Sequence, residues 1–224
     1  RMGIKPLIIY EDDEKIILTS ELQALFAFNI DKEFEDTALS LFFKLTYIPA
    51  PSAILNHAYK IKPGQMGVIT SEGLSLKNYY AVERRRLARM SFDGAAEELK
   101  SRLTIAVKDR LVSDVPLGTF LSGGVDSSIV SAIAKRHKED LKTFSIGFDH
   151  PYFNESQYSK MVADHIESDH HEFIISKHDF QANFHEFLDS VDEPFGDSSA
   201  FAMYLLAKET KKHVTVALSG DGAD

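Results

Sequence analysis

The stretch FLSGGVDSSIV, residues 120–130, sets two glycines, an aspartate and three serines between apolar runs. Gly123 and Gly124 permit a tight turn and a close backbone approach. The unpaired amides of a helix starting here would converge with them on one concavity suited to an anion. Ser122, Ser127 and Ser128 add hydroxyl donors, and Asp126 can hold a divalent cation that bridges phosphate oxygens. The chemistry this composition serves is the grip of a polyanion. A glycine turn capped by serine is the plain alternative, and it suits SGG alone better than the whole heptad SGGVDSS. Neither the GxxxxGK[ST] spacing nor GxGxxG occurs, so a Walker-type or dinucleotide site is unsupported.

Three other clusters carry chemistry. SGDGAD at the end places Ser219, Gly220, Asp221 and Asp224 after an apolar run, and two carboxylates three apart there also fit a plain polar turn. DHHE, with His165, Asp169, His170 and His171, suggests a metal. Adjacent histidines entering a strand point to opposite faces, however, and do not easily serve one ion. DEPFGDSSA gathers Asp192, Glu193 and Asp197 before a helix that Ser198 or Ser199 can cap. A role in a substrate pocket is the alternative.

These residues need a scaffold, and the pattern supplies one. The apolar runs at 6–9 and 15–19 flank EDDE as a hairpin. A short helix is expected over 21–28 and a longer one over 34–45, ended by YIPAP. A second hairpin follows at 61–80. Around 80–90 the basic run VERRRLAR has no strand period and reads as a linker or a solvated helix face.

Beyond Ser91 the pattern alternates helix and strand. Asp93 is expected to cap a helix with Leu99, Leu103, Val107 and Leu111 on one side. Strands are expected at 117–121, 143–148, 172–175 and 214–218, with helices at 127–137, 155–166, 179–191 and 200–211. Such alternation implies an α/β parallel sheet, covered on both faces, that binds ligands at the carboxyl ends of its strands.

Composition bounds the reading. The chain has 224 residues, of which 44% are hydrophobic, enough for a sizeable core. Its net charge of −9 opposes nonspecific binding to nucleic acid or anionic membrane. No apolar run approaches the roughly 20 residues of a membrane span, and a cytoplasmic location is expected. The absence of cysteine agrees with a reducing compartment and excludes disulfides and a cysteine nucleophile within these residues. An opening at Arg1 and a stop at Asp224 inside a loop-like sequence lead us to expect a fragment at both ends.

SGGVDSS resembles the PP-loop of ATP pyrophosphatases. The ordered set of RMGIKPLII, LTSELQALF, YIPAPSAILNHAYKIKPGQ, VPLGTFLSGGVDSS, FSIGF, DHHE, DEPFGDSSA and LSGDGAD resembles the glutamine-dependent asparagine synthetases over essentially the whole chain. The resemblance implies the C-terminal part of an α+β Ntn-hydrolase glutaminase domain at 1–80, a linker at 81–92, and the N-terminal part of a PP-loop synthetase domain at 93–224. It implies amidation of aspartate through an acyl-adenylate, with ATP and Mg²⁺ as cofactors, ammonia from glutamine, small-molecule partners, and compatibility with a homodimer.

The resemblance assigns Ser122, Gly123, Gly124, Asp126, Ser127 and Ser128 to pyrophosphate and metal, and Phe120 and Ile146 to the adenine pocket. Ser219 and Gly220 fall to a second nucleotide segment, Asp221 to the acceptor or ammonia side as the catalytic acid or base, and Asp224 to a second metal ligand. Many members of that family carry Glu where Asp221 stands, so the shorter side chain here departs from the family's pattern. The family's N-terminal glutaminase cysteine and its catalytic lysine are not in this sequence. The alternatives left open are a relative acting on another carboxylate, including a β-lactam-synthetase-like ligase, a noncatalytic ATP-binding paralogue, and a thiouridine-forming PP-loop enzyme.

Overall fold

The computed structural model describes residues 1–82, 90–149, 154 and 156–222. The basic run at 83–89 and the carboxylate of Asp224 lie outside the described residues. By contacts the chain divides into two compact units, Arg1–Arg86 with Leu188–Asp197, and Leu87–Phe187 with Ser198–Asp224.

In the first unit, β1 (Ile8–Glu11) pairs antiparallel with β2 (Ile16–Thr19) and with β3 (Ala58–Lys60), in the order β2-β1-β3. The short β3 was not anticipated, because its three residues lack a period long enough to read. A 3-10 helix, Leu22–Ala27, takes the place of the expected short helix. Helix α1, Asp36–Leu45, is capped by the Glu35 carboxylate, which accepts from the amides of Thr37 and Ala38. Strands β4 (Gln65–Thr70) and β5 (Gly73–Asn78) form the second hairpin. Ile8, Tyr10, Leu22, Leu25, Ala38, Ile54 and Leu55 form the core of this unit.

The segment Leu188–Asp197 is bonded into this first unit. Asp192 accepts the amides of Leu22 at 2.8 Å and Gln23 at 3.2 Å, capping the 3-10 helix. Glu193 accepts the Ile54 amide at 2.8 Å and pairs with the Lys60 ammonium, which also donates to the Ile48 carbonyl at 2.7 Å. The Gly196 amide donates to Thr46 O at 2.7 Å. These two carboxylates therefore neither cap the helix that follows them nor face the cavity described below. Ser198, at that helix's N-cap, has helical geometry and makes no side-chain cap bond.

In the second unit, α2 (Phe92–Arg110) is capped by Ser91, whose hydroxyl accepts the Gly94 amide. The expected cap, Asp93, sits instead in the first turn, where its charge suits the positive end of the helix. Strand β6 (Leu117–Phe120) is followed by α3 (Val125–His137), β7 (Lys142–Phe148), α4 (Ser156–Ile166), β8 (Asp169–Ile175), α5 (Lys177–Asp189), α6 (Ser199–Thr210) and β9 (Val216–Leu218). All three pairings are parallel, in the order β8-β7-β6-β9. The chain thus steps outward from β6 through β7 to β8, then returns to the other side of β6.

One face of the sheet packs Phe144, Leu206 and Val214 with Phe120, Ile146 and Phe173. The other side holds a cluster of Val107, Ala134 and Leu141 with Val130, Ile133 and Leu218. The histidines of DHHE do separate. His170 bonds Thr143 and Ser145, while His171 stacks on the Phe144 ring at 5.3 Å.

Glu193→Ala removes the counter-charge of the partly buried Lys60 ammonium, which keeps only the Ile48 carbonyl, and the acceptor of the Ile54 amide. A loss of about 2 kcal/mol is expected, read as a lower urea midpoint for the transition that reports the first unit.

Candidate functional site

Strand order decides where a ligand can sit. A parallel sheet opens a crevice at the carboxyl edge where successive strands depart in opposite directions, and here that point lies between β6 and β9. The loop 121–124 leaves β6 there, and residues 219–222 leave β9 beside it. They enclose a cavity of about 440 Å³ with walls from α3, β7 and α6.

The first wall is the serine loop. Gly123 has φ +84°, and a Cβ on it would lie 2.6 Å from the Ser159 amide nitrogen and from Tyr158 Cβ, so only glycine fits the turn against α4. Ser122 and Ser127 share a 2.9 Å hydroxyl contact, and the Ser122 amide donates to Ser127 Oγ at 3.2 Å. The Ser128 hydroxyl donates to Gly124 O at 2.6 Å. The first-turn amides of α3 lack intrahelical acceptors and end at this loop, carrying the positive end of the helix dipole.

The second wall is the loop after β9. A Cβ on Gly220 would lie 2.7 Å from the Ser127 nitrogen and 3.0 Å from the Asp126 carbonyl carbon. The two loops therefore touch backbone to backbone. Asp126 and Asp221, both exposed, line the same cavity. Two carboxylates facing one hollow would repel a phosphate chain unless a cation lay between them. Carboxylate and hydroxyl oxygens are the donor set that Mg²⁺ accepts, through one or two carboxylates together with substrate phosphates. The residues present therefore fit that ion.

The third wall is apolar. Phe120, Phe144, Ile146 and Phe148 from the strands face Ala202, Met203 and Leu206 of α6. Together with the polar loops this gives a slot that is apolar at one side and lined by hydroxyls, carboxylates and helix-end amides at the other.

Of the residues singled out from sequence, Phe120, Ser122, Gly124, Asp126, Ser127, Ile146, Ser219, Gly220 and Asp221 line the cavity. Gly123 and Ser128 do not line it but shape the turn. Phe144, Ser145, Phe148 and the α6 residues Ser199, Ala202, Met203 and Leu206 were not anticipated. The alternation of β7 carried a signal for Phe148, which shares a face with Ile146. Nothing in the local pattern of α6 shows that it lies over the sheet.

Behind this wall lies a polar layer. Thr119 and Ser131 share a 2.8 Å hydroxyl contact, both fully buried. His170 Nδ1 lies 2.9 Å from Thr143 Oγ1, and Nε2 lies 3.1 Å from Ser145 Oγ. Burial pushes this imidazole below the usual histidine range, which favours its neutral form.

Gly220→Ala would drive a methyl group into the α3 amides. Weaker binding of inorganic pyrophosphate by about 10-fold is expected, with the sheet still formed, checked by calorimetric titration alongside circular dichroism.

Residues 98–224 match the Asparagine synthase family, and residues 1–80 match the Glutamine amidotransferase domain. The chain is 36% identical over 231 residues to a Methanocaldococcus jannaschii protein assigned as a glutamine-hydrolysing asparagine synthetase, covering 100% of this chain and 44% of that protein. To asparagine synthetase (glutamine-hydrolysing) 1 of Bacillus subtilis it is 34% identical over 223 residues, covering 99% of this chain and 35% of that protein. The chain thus spans less than half the length of either relative. Among solved structures, an NMN synthetase from Francisella tularensis is 14% identical over 57% of this chain and 55% of that chain, with a TM-score of 0.41, too distant to argue from. With a family match across most of the parallel-sheet unit and relatives aligned along the whole chain, the protein belongs to the asparagine synthase family.

Proposed function

We propose that this chain belongs to an ATP-dependent ligase that converts aspartate to asparagine with ammonia drawn from glutamine. The observation that carries this reading is the cavity at the carboxyl edge of β6 and β9, where Asp126, Asp221 and the amide end of α3 meet an apolar slot. In this reading residues 1–80 are part of a glutaminase domain, 81–92 a linker, and 93–224 part of the synthetase domain. The match of residues 1–80 to a glutamine amidotransferase domain supports glutamine as the ammonia source. No cysteine nucleophile lies among these 224 residues.

Phe120 and Ile146 hold the adenine. Ser122, Gly123, Gly124, Ser127 and Ser128 hold or shape the seat of the β- and γ-phosphates, and Ser219 and Gly220 flank the nucleotide from the second loop. A side-chain carboxylate oxygen of aspartate attacks the α-phosphorus, the bond to the bridging oxygen breaks, and pyrophosphate leaves. Amides already aimed at that position stabilise the charge it gains, with no reorganisation at the moment of cleavage. Ammonia then attacks the acyl carbon, loses a proton toward Asp221, and expels AMP. Asp126 and Asp224 would hold Mg²⁺, which supplies neutralisation of the phosphate charge. A homodimer in the cytoplasm completes the reading.

The test is product analysis with the intact protein, ATP, Mg²⁺ and ammonia or glutamine. Aspartate should yield AMP, pyrophosphate and asparagine in equal amounts. Silence with aspartate and pyrophosphate release with another carboxylate overturns the acceptor, while ADP as product overturns the adenylation. Asp126→Asn should lower turnover by about 100-fold, with its thermal midpoint near that of the parent protein.

A further inference from the structure

The side chains of the apolar wall differ in how much of their surface the fold already uses. Phe144 is fully buried, stacked with His171 at 5.3 Å and with Phe173 at 6.3 Å, so its faces are spent inside the protein. Phe120 and Ile146 line the cavity but also pack against the cluster of Phe144, Leu206 and Val214. Phe148 differs from all three. It lines the same cavity and is only partly buried, and among the described residues it joins no core cluster and has no ring partner.

Strand register accounts for this. Phe120, the last residue of β6, pairs with Phe144, and the Leu121 amide closes that ladder on the Phe144 carbonyl at 2.8 Å. Strand β7 runs on to Phe148 with β8 still paired along one side and β6 no longer along the other. The rise of a strand carries Phe148 roughly 13 Å past Phe144, and alternation keeps both on one face with Ile146. Phe148 is thus the outermost aromatic residue of the wall, beyond the reach of the core packing that covers Phe144.

An aromatic ring without a packing partner at a cavity rim retains apolar area to bury, and its π-face favours another flat ring in offset stacking. Every nucleobase presents such a face, and the fused rings of a purine overlap a phenyl group more fully than the single ring of a pyrimidine. We infer that Phe148 is the stacking platform for the nucleobase, and that through it the site prefers purine to pyrimidine nucleotides. The inference rests on the reading of the cavity as the nucleotide site. It adds to that reading a division of labour: Phe120 and Ile146 bury the base, and Phe148 selects its shape.

Calorimetric titration of the intact protein and its variants, with Mg²⁺ present, uses ATP, CTP and inorganic pyrophosphate as probes. The parent protein should bind ATP more tightly than CTP. Phe148→Ala should weaken ATP about tenfold, the effect of one lost base stack, and CTP only about threefold. Pyrophosphate, which carries no base, should change by less than about twofold. Phe148→Tyr keeps the ring and should hold ATP within about twofold of the parent. Phe148→Leu keeps apolar volume without the π-face and should bind ATP at least about threefold more weakly than the tyrosine variant. A leucine variant equal to tyrosine makes Phe148 a filler and overturns the inference. So does a parent without preference for ATP over CTP, an alanine variant with the parental preference, or one that loses pyrophosphate in proportion to ATP. If Phe148→Ala does not fold, tyrosine against leucine decides it. A parent that binds neither ATP nor pyrophosphate overturns the cavity reading itself, whereas parental binding of both with unaltered Phe148 variants overturns the stacking role alone.

Discussion

The cavity exists because two backbones approach where no side chain intervenes. Gly220 after β9 rests against the amide end of α3, with space for hydrogen but not for a methyl group beside Ser127. Gly123 makes the same kind of approach to Ser159 at the start of α4. Side chains at either position would push the loops apart and replace aimed amides with hydrated ones. An anion seat of backbone N–H groups is rigid for the same reason that it is cheap to organise: its donors are held by the helix and the strand ends, not by rotamers.

The sheet behind this seat is built differently on its two sides. Toward α6, Phe144, Leu206 and Val214 pack as ordinary hydrocarbon. On the opposite face of β7, Thr143 and Ser145 meet His170, and the neighbouring Thr119 meets Ser131. These are uncharged groups paired with one another, which avoids the penalty of an unpaired buried dipole while giving direction to the contact. Hydrocarbon packing tolerates small slips; a hydroxyl bonded to a ring nitrogen does not.

The segment Leu188–Asp197 shows how little position in the chain says about place in the fold. It follows α5 and precedes α6, yet its carboxylates cap the 3-10 helix at Leu22 and neutralise Lys60 in the first unit. Read in sequence, Asp192 and Glu193 are acidic residues ahead of a helix, where capping and ligand binding are the natural expectations. Their acceptor capacity is in fact spent on amides and an ammonium more than a hundred residues away, at Ile54, Lys60 and Leu22.

Much of the site was nonetheless legible. Alternating strands and helices, the glycine pair at 123–124, and the carboxylates at 126 and 221 are local properties, because period, backbone freedom and charge are written in consecutive residues. The order of strands was not legible, since nothing in β9 states that it pairs with β6 instead of extending the row beyond β8. That choice alone brings Gly220 and Asp221 to the serine loop. The α6 wall, the partners of Asp192 and Glu193, and the double bonding of His170 were hidden for the same reason. Each depends on which surfaces meet once apolar faces are buried, and hydrophobic burial has no direction along the chain. Sequence determined the chemistry available; packing decided which groups would share it.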